Sequence, residues 1–268
     1  MPKISAVILT RNEAANLPRC LESIRWVDEI LVLDSESTDG TAGIAKKFGA
    51  KVYLLPWDGF GKQKQKGVEL AAGEWVFSID ADEVVTPGLQ AEITSRLSTD
   101  NDTAGYYLKR KAYFLDRFVR HGGWYPDWVL RLFQKGKGRF TPAPVHESVV
   151  LEGPAGRLQA DLLHYTDPNF SHYLAKLNRY TDLSAWELFE KGKRGSLFKI
   201  LANPAVKFFS QYFLKAGFLD GRAGFILAGG SAFHVFSKYV KLWELSRKMG
   251  NSPPGYTSST TLGTGRNE

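Results

Sequence analysis

The sequence predicts an α/β fold: a mostly parallel sheet in the first part of the chain, followed by a helical region that associates with a membrane surface. Three observations predict it. Over residues 4–79, apolar runs of strand length alternate with amphipathic helical stretches, the pattern of a parallel sheet with right-handed crossovers. From residue 170 to 247 the signals are mainly helical. The net charge of +7 is concentrated there, because residues 170–250 hold 13 basic and 5 acidic side chains while the rest is nearly balanced. A length of 268 residues suits one generous domain with an appendage. With 43% hydrophobic and 24% charged residues the chain is neither disordered nor polytopic. A single cysteine, Cys20, excludes a disulfide-stapled scaffold. Residues 1–10 lack the basic stretch and apolar core of a signal segment, so a cytosolic protein is expected.

The elements follow in order. Residues 4–9 form an apolar run suited to a buried parallel strand. A helix begins near Leu17, with Pro18 in its first turn and Leu17, Leu21 and Ile24 on one face. Residues 30–33 give the second strand, and Asp39 is placed to cap a helix that ends at Gly49. Residues 52–55 are the third strand, 62–72 a helix closed by Gly73, and 75–79 the fourth strand. Beyond Pro87 the pattern loosens: 89–97 is helical, and 106–110 and 129–133 are strands of mixed exposure. The expected division is a sheet domain over 1–167, a basic and aromatic helical region over 168–250, and a disordered tail over 251–268.

In open α/β sheets, ligands bind beyond the carboxyl ends of the strands. Here those ends carry Thr10-Arg11-Asn12-Glu13, Asp34-Ser35 and Asp80-Ala81-Asp82-Glu83. In an extended segment, residues i and i+2 point the same way, so Asp80 and Asp82 can face one ligand. Two adjacent carboxylates call for a cation, and a hard divalent ion such as Mg²⁺ or Mn²⁺ that also holds phosphates supplies it. The plainer alternative is a solvated acidic turn. No G-x-G-x-x-G or Walker sequence follows the first strand, which sets aside nicotinamide dehydrogenases and P-loop kinases.

These motifs resemble the family 2 glycosyltransferases of the GT-A type, whose nucleotide-binding sheet is Rossmann-like. Gly123-Trp124-Tyr125-Pro126-Asp127, Arg131-Leu132-Phe133, Val145-His146-Glu147 and residues 217–221 are similar to the lipopolysaccharide-core glucosyltransferase subgroup. The resemblance implies that Thr10, Asn12 and Glu13 line a nucleoside pocket, that Asp34 holds the uracil or ribose region, and that Arg11 and Ser35 also contact the donor. It implies that Asp80 meets the ribose, with Ala81 beside it, and that Asp82 ligates the metal bridging a pyrophosphate. Lys64 and Gln65 stand where relatives commonly carry Arg-Asn, and Lys64 still offers a cation. Lys62 and Lys66 read as a solvated helix face.

Moving a sugar from a nucleoside diphosphate to a hydroxyl needs a base, and the candidates are Glu147 and Asp127. His146 completes the metal shell, orients Glu147 or is a satisfied structural residue. Arg131 either reaches the diphosphate or pairs with a carboxylate, and Trp124 and Tyr125 either stack on a sugar or pack in a core. The reading is an inverting, metal-dependent transferase moving glucose from a UDP-sugar to a lipid-linked saccharide such as the lipopolysaccharide inner core. A sugar-phosphate nucleotidyltransferase and a non-catalytic basic membrane or nucleic-acid adaptor are the alternatives. Nucleic acid is disfavoured, because Lys199, Lys207, Lys215 and Lys238 punctuate apolar runs instead of forming a polar stripe. The longest uncharged run, 223–237, is shorter than the ~20 residues of a membrane span. Helices lying on an anionic inner leaflet are therefore expected, with an ordinary packed helical subdomain as the alternative.

Overall fold

The computed structural model describes residues 2–100, 102–115, 117–142, 148–167 and 169–249. The first four strands form where the apolar runs lie: β1 (Ile4–Thr10), β2 (Glu29–Asp34), β3 (Lys51–Leu54) and β4 (Trp75–Ser78). They pair in parallel in the order β3-β2-β1-β4. The period of two along β1 sends Ile4, Ala6 and Ile8 to one face, against Leu17, Leu21 and Ile24 around α1 (Leu17–Ser23) and Ala45 of α2 (Thr41–Lys47). Val7 faces the other way, against Val68 of α3 (Phe60–Leu70). A methyl group on Gly67 of α3 would lie 2.2 Å from Val7 Cγ1, so this helix rests directly on β1. The α2 cap differs from expectation. Gly40, at φ 87°, is the N-cap, and Asp39 lies one residue earlier, accepting from the Thr41 and Ala14 amides at 3.2 and 3.0 Å.

The second half adds β5 (Glu83–Val85), α4 (Pro87–Thr99), β6 (Gly105–Phe114), β7 (Arg117–Phe118), β8 (Asp127–Gln134), β9 (Gly138–Phe140), β10 (Val149–Leu151) and β11 (Ala155–Asp167). The sheet continues β4-β8-β6-β11-β5, with β7 on β6, while β9 and β10 make a separate ribbon. Its parallel character holds for the first four strands and for β6 with β11, whereas β8 is antiparallel to both its neighbours and β5 to β11. No helix lies between β6 and β8, and parallel neighbours require a crossover of a dozen or more residues, usually helical.

One connection constrains the whole sheet. β4 and β5 are neighbours in sequence yet four strand positions apart in the sheet. Four spacings of about 4.8 Å make an arc of about 19 Å, whereas five residue steps of at most ~3.4 Å reach only about 17 Å. A turn, with the Glu83 amide on the Asp80 carbonyl at 3.0 Å, shortens the link further. The sheet therefore curls, and residues 79–82 run as a chord inside the curl.

The C-terminal region holds α5 (Phe170–Glu190), α6 (Leu197–Phe209), a π-helical turn (Ser210–Leu214), a 3₁₀ turn (Gly217–Asp220) and α7 (Gly221–Met249). Ala185 and Phe189 of α5 pack with Leu242 of α7, and Leu227 of α7 reaches Phe114 of β6. Asp220 accepts from the His121 amide at 2.7 Å and lies 3.0 Å from His121 Nδ1, which ties the helices to the loop before β8. Among the described residues no helix is long and apolar enough to cross a membrane. The expected tail, 251–268, lies outside the described residues.

Candidate functional site

The carboxyl ends of β1 and β2 are tied together before they meet any ligand. Thr10 donates to Asp34 Oδ2 at 2.8 Å, and Asp34 also accepts from the Ser37 amide and hydroxyl at 3.0 and 2.6 Å. The Ser35 hydroxyl donates to Gln63 at 3.0 Å, and Gln65 accepts from the Phe140 amide at 2.9 Å. Asp34, Ser35 and Gln65 are thus occupied internally and lie off the wall of the cleft that opens beside them. That cleft has a volume of about 1030 Å³ and is lined by Thr10, Arg11, Asn12, Glu13, Lys64, Asp80, Ala81 and Asp82, with strands β6, β8 and β11 opposite.

The chord forms the floor, and each strand it passes contributes one basic side chain. From β8, Arg131 pairs with Asp80 and reaches Glu83 at 2.8 Å. From β6, Arg110 lies 3.5 Å from Glu83 and 2.5 Å from Asp127. From β11, His164 Nε2 lies 3.3 Å from Asp82 Oδ2. Lys64 of α3 adds a second cation at 3.2 Å from Asp80. Burial alone would push the Asp80 carboxyl up, but Arg131 and Lys64 override it and hold it well below the usual carboxylate range. The same pairing raises Arg131 against its own burial. The Nε of Arg131 is a buried donor with no partner among the described residues. Glu13 behaves oppositely: burial raises its carboxyl and the nearby Asp82 adds to this, against a hydrogen bond from Asn16 at 2.9 Å.

Asp80-x-Asp82 is not the extended segment expected, because the Glu83 amide closes a turn on the Asp80 carbonyl. These residues sit in a turn, so Asp80 is held by Arg131 and Lys64 while Asp82 turns to His164. The two carboxylates share the cleft without sharing a partner. Asp127 does not line the cleft, its carboxylate being engaged by Arg110 through Nε at 2.8 Å as well as Nη2. His146 and Glu147 lie outside the described residues. Trp124 packs with Phe114 and Leu227, and the Tyr125 hydroxyl bonds Asp161 at 3.0 Å; neither lines the cleft. Lys62 and Lys66 form exposed pairs with Asp58 and Glu69, as a solvated face should.

Two features of the cleft lie outside the sequence motifs. His164 and Arg110 come to the floor only through the register of β11 and β6. The roof is α5, which brings His172, Lys176 and Arg179 to the cleft at the i, i+4, i+7 spacing of one helix face. That spacing was readable, but which way the face looks was not.

A sequence profile of Glycosyl transferase family 2 matches residues 5–149. The lipopolysaccharide core biosynthesis glycosyltransferase LpsC of Rhizobium meliloti is 33% identical over 258 residues, covering 91% of this chain and 94% of LpsC. The chain belongs to glycosyl transferase family 2. An uncharacterized glycosyltransferase of Rickettsia felis is 32% identical, over 94% of this chain and 93% of its own length. Among solved structures, the mannosyltransferase PcManGT of Pyrobaculum calidifontis, in complex with GDP-Man and Mn²⁺, covers 91% of this chain and 88% of its own at 16% identity and a TM-score of 0.53. That likeness is one of fold. The profile ends inside the sheet domain, whereas LpsC is similar along nearly the whole chain, C-terminal helices included.

Proposed function

We propose that this family 2 member is an inverting glycosyltransferase that moves glucose from a UDP-sugar to a lipid-linked saccharide such as the lipopolysaccharide inner core. It would act with Mg²⁺ or Mn²⁺ as a peripheral protein on the cytoplasmic face of the membrane. The observation that carries this reading is the pairing of Asp82 with His164 on the floor of a cationic cleft. The LpsC relative, named for lipopolysaccharide core biosynthesis, supports the acceptor.

The residues present fit a divalent ion. Asp82 offers an oxygen and His164 a nitrogen, and among the described residues no third His, Cys, Asp or Glu joins them. An ion held by these two groups would leave its other positions to phosphate oxygens and water. When bound, such an ion neutralises charge developing on the departing diphosphate. Asp80, fixed as an anion, presents an acceptor to a ribose hydroxyl. Arg11, Lys176 and Arg179 supply cations along the path of the diphosphate. The acceptor oxygen forms a bond to the anomeric carbon as the bond to the β-phosphate oxygen breaks, with inversion. A carboxylate takes the hydroxyl proton. The hold of Arg110 on Asp127 makes Glu147 the preferred base.

Thermal stabilisation and slow donor hydrolysis should be followed with UDP-, GDP- and dTDP-sugars in the presence of Mn²⁺. UDP-glucose with Mn²⁺ is expected to stabilise the protein and to be hydrolysed slowly. Absence of a shift with every sugar nucleotide at saturating Mn²⁺ overturns the reading.

A further inference from the structure

We propose that the outward face of α6 and the π-helical turn, with Lys207, Lys215 and Lys238 beside it, is a docking surface for an anionic phospholipid bilayer. This deepens the proposed function and rests on it only in taking the acceptor to be lipid-linked. The face reverses the usual order of burial. In α6 only Ile200 is buried, while Leu197 is 70%, Phe198 78%, Leu201 63% and Val206 67% exposed; Phe209 and Leu214 continue the face. Contiguous apolar surface of this kind marks an interaction site.

Charge identifies the occupant. Residues 191–249 hold eleven lysines and arginines against two carboxylates, and one of these, Asp220, is already engaged by His121. A second copy docked on the same face would set cations against cations. A layer of lipid phosphates is complementary to both components, because the apolar side chains enter the acyl boundary while the lysines stay with the headgroups. Lys207, Lys215 and Lys238 lie close enough that, with partial burial, the last two push the Lys207 ammonium down. Phosphate would relieve that crowding. The helices lie on the surface, since none among the described residues is long and apolar enough to span it. α5 takes no part, its cations being turned to the cleft.

The full chain should be sedimented with phosphatidylglycerol–phosphatidylethanolamine vesicles and, separately, with phosphatidylcholine vesicles. Wild type is expected to partition onto the anionic vesicles. Combined Phe198→Ser, Leu201→Ser and Phe209→Ser substitution should lower partitioning at least about tenfold. Combined Lys207→Gln, Lys215→Gln and Lys238→Gln should lower it about fivefold per charge on anionic vesicles and hardly at all on neutral ones. Both variants should keep the UDP-glucose and Mn²⁺ thermal shift, which reports the cleft independently. Wild type that shows this shift but ignores anionic vesicles overturns the docking surface and the peripheral placement with it, and leaves the sugar-transfer reading of the cleft standing. A dimer in sedimentation velocity that the serine substitutions dissociate, with vesicle binding unchanged, overturns it in favour of a second copy.

Discussion

At Arg131, one guanidinium is shared by two carboxylates, Asp80 and Glu83, of which Glu83 is fully buried. Removing the cation leaves Asp80 with Lys64 at 3.2 Å and the buried Glu83 with the longer contact to Arg110 at 3.5 Å. Arg131→Met is therefore expected to cost about 3–5 kcal/mol in urea denaturation. Asp82→Asn should behave differently. Asp82 is partly exposed, and among the described residues its carboxylate pairs with the His164 ring, so stability should change by less than about 1 kcal/mol while Mn²⁺-dependent transfer is lost. Retained metal-dependent activity in Asp82→Asn, measured as sugar transfer or donor hydrolysis, refutes that role. The aspartates were legible because both lie on one short segment directly after a buried strand. Their division of labour was not, because the turn at residues 80–83 and the inward register of β8 and β11 leave no local trace.

Individual elements show the same contrast. The first four strands and α1 to α3 carry strong periodicity and formed nearly where expected, while the mixed exposure of β6 and β8 hid their direction. Between α4 and β6, Asp100 accepts from the Thr103 and Tyr106 hydroxyls, both at 2.7 Å. Those bonds hold the Asp100 carboxyl at about 2, against an ordinary 3.8. A lowered folded value means stability that is present above pH 3.8 and lost as pH falls toward 2. Tyr106 runs the other way: burial, then the Asp100 contact, push its hydroxyl to about 12 from 10, so stability falls as pH rises through that interval. Asp100→Asn should flatten the acid limb of a denaturation-against-pH profile and weaken the alkaline one. Within α3, Gly67→Ala would drive a methyl into Val7 and is expected to cost about 1–3 kcal/mol by thermal denaturation.

Across the molecule, the sheet domain and the helical region are joined by the cleft itself. Dividing the chain at residue 167 follows the change in composition, yet α5, just beyond it, roofs the site. Lys176→Met with Arg179→Met should raise the donor KM by about tenfold. Stability should change by less than about 0.5 kcal/mol per substitution, since neither side chain is buried. The link from β4 to β5 has a different kind of consequence. It is shorter than the arc of sheet it subtends, so it acts as a bowstring. Inserted residues are cheap in most surface loops. At this one, a single extra residue would let the curve slacken and carry Asp82 away from His164, even though every apolar contact remained available. The length of this link thereby sets how far Asp82 sits from His164 across the cleft.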